Sequence, residues 1–280
     1  MTWTITGDPE AFAAAALPLL LRDPVANTVA LTVLHSLRGG HQFGEQPAML
    51  AWYTEHDEVT GAVMRTPPWA LLLAVLPPGS EPDLVAQLRG HGAEVPSANG
   101  TEEAVRRFSA CWTAETELAG GTALRQRLFR LDRLVPPEPA PAGSARPAGQ
   151  ADLDMAMDWL HAFGHEADSH GGPPNRSFYA ARVDQGLIWL WLNEHGDPVS
   201  FAGRTTAIAG VSRIGPVYTP PEHRRHGYAA GVTAACTQHA LDTGAEQVIL
   251  FTDLANPTSN AIYQRLGYRP IDDRMILHYR

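Results

Sequence analysis

The feature that most constrains the fold of this chain is a segment near its middle with almost nothing to bury. Residues 135–149 read VPPEPAPAGSARPAG, and a composition dominated by proline, alanine and glycine is typical of extended linkers. The chain has 280 residues, which is long enough for two ordinary domains. The sequence therefore predicts a first domain over residues 1–134, a linker over 135–149 and a second domain over 150–280.

Both predicted domains show a similar order of elements, with helices leading into strands. In the first, the Asp-Pro pairs at residues 8–9 and 23–24 are typical helix starts, and three strand-like runs follow them (MLAWYTE, VTGAVMR and WALLLAV). In the second, we expect a helix over 152–163, strands around 187–194, 198–206 and 211–218, and a buried strand QVILFTD followed by a helix over 257–266. The pattern predicts an α/β (α+β) fold with a mixed sheet, present as two tandem copies of one architecture.

Charge and cysteine content limit the classes of partner. A net charge of −9 disfavours a general nucleic-acid or anionic-membrane binder and favours a neutral or cationic partner. All 21 basic residues are arginine, which excludes a Schiff-base lysine. Cys111 and Cys236 are far apart and form no paired motif, so we expect a reducing compartment. With no signal-peptide pattern and no apolar run long enough to span a bilayer, a cytoplasmic protein is expected.

The stretch HRRHGYAAG, residues 223–231, places arginines and glycines directly before a predicted helix. The first backbone N–H groups of a helix have no intrahelical partner and carry the positive end of its dipole. A loop of this composition can therefore donate hydrogen bonds to a diphosphate, and Gly227 permits the close approach that a Cβ would block. From these residues alone, an exposed arginine-rich helix start is an equally good interpretation.

Two motifs in the right order favour the first interpretation. Arg224, Gly227 and Ala229 fill the pattern R-x-x-G-x-A, which resembles the pyrophosphate loop of the GCN5-related N-acetyltransferase (GNAT) superfamily. About thirty residues later, FTDLANPTSNAIYQRLGYRP resembles the second conserved region of that superfamily, including Asn256 and Tyr263. Residues 150–280 are therefore identified as a GNAT domain with the acyl-CoA N-acyltransferase fold.

The resemblance implies acetyl-coenzyme A (acetyl-CoA) as donor substrate and no metal. It places the end of the fourth strand on the pantetheine arm and thioester through Val217, Tyr218 and Thr219. It places the diphosphate on the following loop and helix start, which comprise Arg224, Arg225, His226, Gly227, Tyr228, Ala229 and Ala230. Asn256 is expected to bond the pantetheine, although followed by Pro257 it also has the marks of a helix N-cap. One departure concerns residues 225 and 226, where the family often has glycine and arginine and this chain has arginine and histidine.

The resemblance also implies direct attack of an amine on the thioester in a ternary complex. The N–H of Val217 would stabilise the oxyanion, and Tyr263 would protonate the departing sulfur. For the base we select Glu166 in FGHEADSHGG, with His165 as second choice and an exposed polar loop as the non-functional alternative. His161, His165 and His170 also suggest a metal site, but we expect Phe163-Gly164 to break the helix between the first two.

The first half lacks an equivalent loop. After its third strand-like run comes LPPGSEPDLVAQLRG, in which no arginine precedes the glycine at 79 and two acids follow it. We therefore predict a degenerate GNAT-like domain without a cofactor loop, and one donor site per chain.

A small-molecule primary amine is the expected acceptor, with polyamines, aminoglycosides, amino-acid derivatives and peptide N-termini all compatible with the sequence. A non-catalytic acyl-CoA sensor and a transferase for longer acyl groups are the alternatives. Nothing in the sequence determines the oligomeric state.

Overall fold

A computed structural model describes residues 1–167 and 174–280, and these form two compact units. Unit 1 comprises residues 1–127 and 272–280, and unit 2 comprises residues 128–271. Among the described helices, none is long and apolar enough to cross a membrane.

The first repeat of elements runs from β1 to β6. Its bounds are β1 Thr2–Thr6, α1 Pro9–Leu20, α2 Thr28–Arg38, β2 Met49–Glu55, β3 Glu58–Arg65, β4 Leu71–Val75, α3 Glu81–Gly90, β5 Ser97–Thr101, α4 Glu102–Glu115 and β6 Gly120–Leu131. The second repeat has the same order: β7 Ser144–Pro147, α5 Leu153–Glu166, α6 Arg176–Asp184, β8 Ile188–Leu192, β9 Pro198–Arg204, β10 Val211–Tyr218, α7 Tyr228–Asp242, β11 Gln247–Asp253, α8 Pro257–Arg265 and β12 Tyr268–Tyr279. Short 3₁₀ turns precede α5 (Gln150–Asp152) and α7 (Pro221–His223).

Unit 1 is a mixed sheet with helices packed on it. β1 to β4 pair antiparallel in sequence order, β4 and β5 pair parallel, and β12 pairs antiparallel with β5 from Arg274↔Thr101 to His278↔Ser97. Its main core joins β2, β3 and β4 to α3 and α4, with Phe108 and Trp112 of α4 stacked 5.8 Å apart. Local signals set the helix starts, since Asp8 accepts from the N–H of Glu10.

Unit 2 has the same arrangement. β7, β8, β9 and β10 pair antiparallel in order, and β10 pairs parallel with β11. Alternation along the strands sends Trp191, Ala202 and Ile214 into a core with α7, and Leu190 and Phe201 into a second core with α5 and α6. The sheet of unit 2 is therefore covered on both faces.

The structure differs from the predicted domain boundaries in two respects. Residues 144–147 of the expected linker form β7, which pairs with β8 from Ser144↔Leu192 to Pro147↔Trp189. In addition, residues 272–280 belong to unit 1, where they complete the sheet beside β5. A proline-rich composition favours an extended backbone, but it does not distinguish a linker from an edge strand, where proline is tolerated.

Candidate functional site

The parallel strands β10 and β11 stop pairing partway along their length. Their register runs from Val211↔Gln247 to Ile214↔Leu250, although β10 continues to Tyr218 and β11 to Asp253. Gly215 and Pro216 follow the last pair, and proline has no N–H to give to a ladder. The register of β10 on β9 also shifts between Ile214 and Val217. The far half of β10 therefore separates from β11 and leaves a main-chain edge onto which an extended ligand can add.

The loop after β10 presents a row of free backbone donors. Within residues 1–167 and 174–280, no acceptor is hydrogen bonded to the N–H groups of residues 225–230, and the helical ladder starts with Gly231 N–H donating to Gly227 carbonyl at 3.0 Å. Tyr228, Ala229 and Ala230 form the first turn of α7, where the helix dipole is positive. These amides converge on the same end of β10 as the open strand edge.

Two residues of this loop have left-handed backbone conformations. Arg225 has a φ of +66° and Gly227 a φ of +82°. A Cβ on Gly227 would lie 3.4 Å from the Cβ of Pro141, so glycine is needed here for its backbone conformation more than for space. A Cβ on Gly231, in contrast, would lie 2.7 Å from the ring of Trp191 and 2.8 Å from Pro141. Gly231 therefore serves packing.

Arg224 joins the loop to α5 and to the end of β10. Its Nη2 donates to Glu166 Oε2 at 2.6 Å and its Nε donates to the carbonyl of Thr219 at 2.9 Å. The guanidinium also lies 5.8 Å from the ring centre of Tyr218, whose hydroxyl donates to Glu166 Oε1 at 3.0 Å. Arg225 and His226 are exposed, with the His226 ring stacked on Tyr228 at 5.4 Å.

Ser200 of β9 fixes the end of β10 through hydrogen bonds to Tyr218 and Thr219. The hydroxyl of Ser200 donates to the carbonyl of Tyr218 at 3.0 Å and lies 2.8 Å from the hydroxyl of Thr219. Ser200 is fully buried. Burial and the hydrogen bond to Glu166 raise the pKa of Tyr218, so its phenol stays protonated and keeps donating.

The structure corrects two expectations about α5. This helix continues through Gly164 to Glu166, so Glu166 is not in an exposed loop, and His161 and His165 are on one continuous helix. A single glycine costs a helix only about 1 kcal/mol, which the packing of Leu160 and its neighbours outweighs. His170 lies outside the described residues, and within those residues no group of three or more His, Cys, Asp or Glu side chains could hold a metal.

Tyr263 of α8 is half-buried and packs on the same hydrophobic core as Val217. Its ring contacts the ring of Tyr268 edge-on at 6.3 Å, and burial raises the pKa of its phenol to about 12. The phenol is therefore protonated throughout the physiological pH range. Its role as proton donor stays a prediction.

Asn256 caps α8, and a second asparagine offers a free acceptor. Asn256 is exposed, and its Oδ1 accepts from Ser259 N–H at 3.0 Å, as expected for an N-cap. One turn later, the amide nitrogen of Asn260 donates to the carbonyls of Asp253 and Asn256. The Oδ1 of Asn260 is buried without a partner among the described residues. No sequence signal could have found this group, because only the fold shows which end of an amide is left unpaired.

In unit 1 a carboxylate lies where unit 2 has its free amides. Glu81, the first residue of α3, is 4% exposed and accepts from Gly79 N–H at 2.7 Å and from Arg107 Nε at 2.5 Å. The negative charge and the used N–H make this helix start unsuitable for a diphosphate.

Comparisons with known proteins bear on the fold of the chain. Residues 194–277 match the family described as FR47-like protein, which is related to GNAT, and no curated protein sequence matches the chain. Among solved structures, an acetyltransferase from the GNAT family from Colwellia psychrerythraea aligns with 100% of this chain and 99% of its own at 12% identity and a TM-score of 0.63. A GCN5-related N-acetyltransferase from Sphaerobacter thermophilus aligns with 99% of this chain and 95% of its own at 18% identity and a TM-score of 0.64. A tandem GNAT protein from the clavulanic acid biosynthesis pathway aligns with 99% of this chain and 98% of its own at 14% identity and a TM-score of 0.61.

The fold is that of the acyl-CoA N-acyltransferases, present in two tandem copies. Residues 194–277 are similar to the FR47-like family, which is related to GNAT, and the whole chain shares the fold of the acetyltransferases with which it aligns.

Proposed function

We propose that the protein transfers the acetyl group of acetyl-CoA to a primary amine of a small molecule, with the donor bound to unit 2. The observation that carries this proposal is the placement of an unpaired strand edge, residues 215–218, next to the free amides of residues 225–230. A nucleotide with an amide-bearing arm and a diphosphate matches both halves of this arrangement. Acetyl-CoA has these features.

The chain's own groups supply the remaining chemistry. As the amine attacks the thioester carbon, the N–H of Val217 donates to the oxygen on which negative charge develops. When the carbon–sulfur bond breaks, Tyr263 gives its proton to the thiolate. The free Oδ1 of Asn260 can accept from an amide of the pantetheine arm, which would satisfy a buried group that the protein leaves unpaired. Cys236 lies within α7, fully buried with its pKa raised to about 12, so a covalent acyl-cysteine is not part of this scheme.

Glu166 as the base that takes the amine proton stays a prediction. Both of its oxygens already accept hydrogen bonds, one from Arg224 and one from Tyr218. These contacts support a positioning role in which Glu166 ties α5 to the loop that receives the diphosphate.

Exchange of Gly227 for alanine tests the proposal. A left-handed alanine costs about 1–2 kcal/mol, so we expect the relaxed loop to raise the KM for acetyl-CoA roughly 10-fold. Gly196, in the turn between β8 and β9, is the matched control because its φ is +85° and a Cβ added there would have no atom within 4 Å. Thiol release from acetyl-CoA over a panel of primary amines and the melting temperature are measured for G227A, G196A and the parent protein.

The two variants should lose similar thermal stability, and only G227A should lose donor affinity. Tight acetyl-CoA binding by calorimetry with no thiol release for any amine would instead support a non-catalytic sensor. Equal KM values for G227A and G196A would remove the loop from the donor site.

A further inference from the structure

Unit 2 contains two partly buried arginines that form no ion pair with a carboxylate of the described residues. Arg182 is on α6 and Arg213 is on β10, and burial lowers the pKa of both guanidinium groups, that of Arg213 to about 10. Arg182 further lowers the pKa of Arg213, so their charges are close enough to repel. Among residues 1–167 and 174–280, no carboxylate forms an ion pair with either side chain.

Each guanidinium has one nitrogen whose N–H group finds no acceptor among the described residues. The Nε of Arg182 and the Nη1 of Arg213 are buried and have no hydrogen-bond partner in the described part of the chain. Arg182 is fixed by other contacts: its Nη2 donates to the carbonyl of Arg204 at 2.8 Å, and its charge lies 5.5 Å from the ring centres of Phe178 and Tyr179. Buried unpaired donors on charged groups are costly, which indicates an occupant absent from the free protein.

Arg182 lies close to the point where β10 separates from β11, which is where the proposed function places the thioester of acetyl-CoA. Arg182 Nη2 and the carbonyl oxygen of Gly215 each lie 3.0 Å from the point that a Cβ on Gly203 would occupy. Gly215 is the residue at which β10 leaves β11. Arg213 alternates with Ile214, which packs against α7, so it faces the side of the sheet covered by α5 and α6. Both residues are partly exposed to solvent.

We propose that Arg182 and Arg213 form a subsite for a carboxylate of the acceptor, so that the amine substrate is an amino acid or a related amino carboxylate. An arginine presents parallel N–H donors that match the two oxygens of a carboxylate. A bound carboxylate would take up the unused donors and balance the two charges. This inference rests on the proposed acetyltransferase function, and it narrows an expectation of cationic acceptors that was based on net charge alone.

The first experiment compares acceptors that differ only in the carboxylate. Thiol release from acetyl-CoA is measured with lysine against cadaverine and with phenylalanine against phenethylamine, with the amino-acid amides as neutral analogues. We expect kcat/KM to be roughly 10- to 100-fold higher for the acids, as for a hydrogen bond to a charged group. Equal values for acids and amines would overturn the inference.

Variants then assign the effect to these residues. R182M and R213M should lose the preference for acids while keeping the rates with the plain amines within a few fold. Arg204 provides the control because it is also buried, at 5% exposed, and its Nε also lacks a partner among the described residues. Its Nη2, however, is hydrogen bonded to His239 of α7 and to Thr243, which follows that helix. R204M should leave the preference unchanged. A preference that survives both R182M and R213M would overturn the assignment.

Two further measurements separate folding and function from the subsite. Replacing a buried charge by methionine is often neutral for stability. If either variant unfolds, R182K and R213K are used instead, since lysine retains the charge but lacks the paired N–H donors of a guanidinium. These lysine variants should show an intermediate preference for acids over amines. Binding of N-acetylphenylalanine and of N-acetylphenylalanine amide to the protein is also compared by calorimetry, without acetyl-CoA. Tighter binding of the acid, with no acetylation of any amine, supports the subsite and counts against the transferase. Acetylation of amines without tighter binding of the acid counts against the subsite alone.

Discussion

Tyr263 combines the two properties required of a group that protonates a thiolate. It packs on the same core as Val217, and burial raises the pKa of its phenol to about 12, so the proton is present at working pH. We expect Y263F to lower kcat about 100-fold or more with an unchanged KM for acetyl-CoA, since general acid catalysis typically contributes 10²–10⁴-fold. Tyr263 ionisation should not limit the rate of the parent enzyme between pH 7 and 10.

Steady-state kinetics over that pH range check this prediction. Tyr279 is the control because burial also raises its pKa to about 12, but it lies in unit 1 and shares a hydrogen bond with Ser109. Y279F should retain the parent kcat. A kcat for Y263F within threefold of the parent value would assign the proton to another donor.

Sequence reasoning finds features that are encoded within a few residues and misses contacts between distant positions. The loop at Arg224–Ala230 was predictable because a helix start and a glycine are encoded within a few residues. The bond from Arg224 to Glu166 spans 58 positions and has no sequence signature. Arg182 and Arg213 resembled ordinary surface charges in the sequence, although an arginine between two buried residues of a strand, as at position 213, is the signal that could have found one of them.

At the scale of elements, α7 and α3 occupy equivalent places in the two repeats but offer different chemistry. The start of α7 has free amides, whereas that of α3 has the buried carboxylate of Glu81. Isothermal titration of acetyl-CoA should therefore give one site per chain, and G227A should weaken that site. A second site of comparable affinity, unaffected by G227A, would contradict the view of unit 1 as degenerate.

The elements themselves were largely predictable, and their ends were less so. Hydrophobic alternation identified β2, β3, β4, β10 and β11, because those strands have a buried face. The persistence of α5 through Gly164 was not predictable, since local propensity argues for a break and tertiary packing decides otherwise.

At the scale of the whole molecule, the two repeats share an order of elements, but part of the last strand of each repeat belongs to the other compact unit. Residues 128–131 of β6 belong to unit 2, and residues 272–279 of β12 belong to unit 1. The hydrophobic pattern of a strand is the same whichever unit receives it, so the sequence could not reveal this distribution. Unit 1 therefore takes residues from both ends of the chain, and the domain bounds of 1–134 and 150–280 stay a prediction.

The bond between Arg127 and Asp273 tests the contribution of β12 to unit 1. Arg127 binds both carboxylate oxygens, at 2.7 and 2.9 Å, and this hydrogen bonding lowers the pKa of Asp273. Because the folded pKa is below the unfolded one, the stabilisation is present at neutral pH and is lost as the pH falls through the folded pKa. We expect D273N to lower the free energy of unfolding by about 0.5–1 kcal/mol at pH 7, as for a partly exposed pair.

Urea denaturation of D273N and the parent protein at pH 7 and at pH 3 measures this effect. Asp154 is the control, since its ion pair with Arg176 is much more exposed, at 84% and 58% of the two side chains. D154N should be neutral at both pH values. A neutral D273N at pH 7 would show that this pair does not help to hold β12.

The assignment of residues 272–279 to unit 1 has a consequence for biosynthesis. A ribosome makes unit 1 up to residue 127, then all of unit 2, and only afterwards the strand that pairs with β5. In the nascent first unit the Ser97–Thr101 edge therefore stays uncovered while some 150 further codons are translated, which takes about 8–30 s at 5–20 residues per second. During that interval the open edge is a substrate for chaperones and a point of mispairing between neighbouring nascent chains on one polysome.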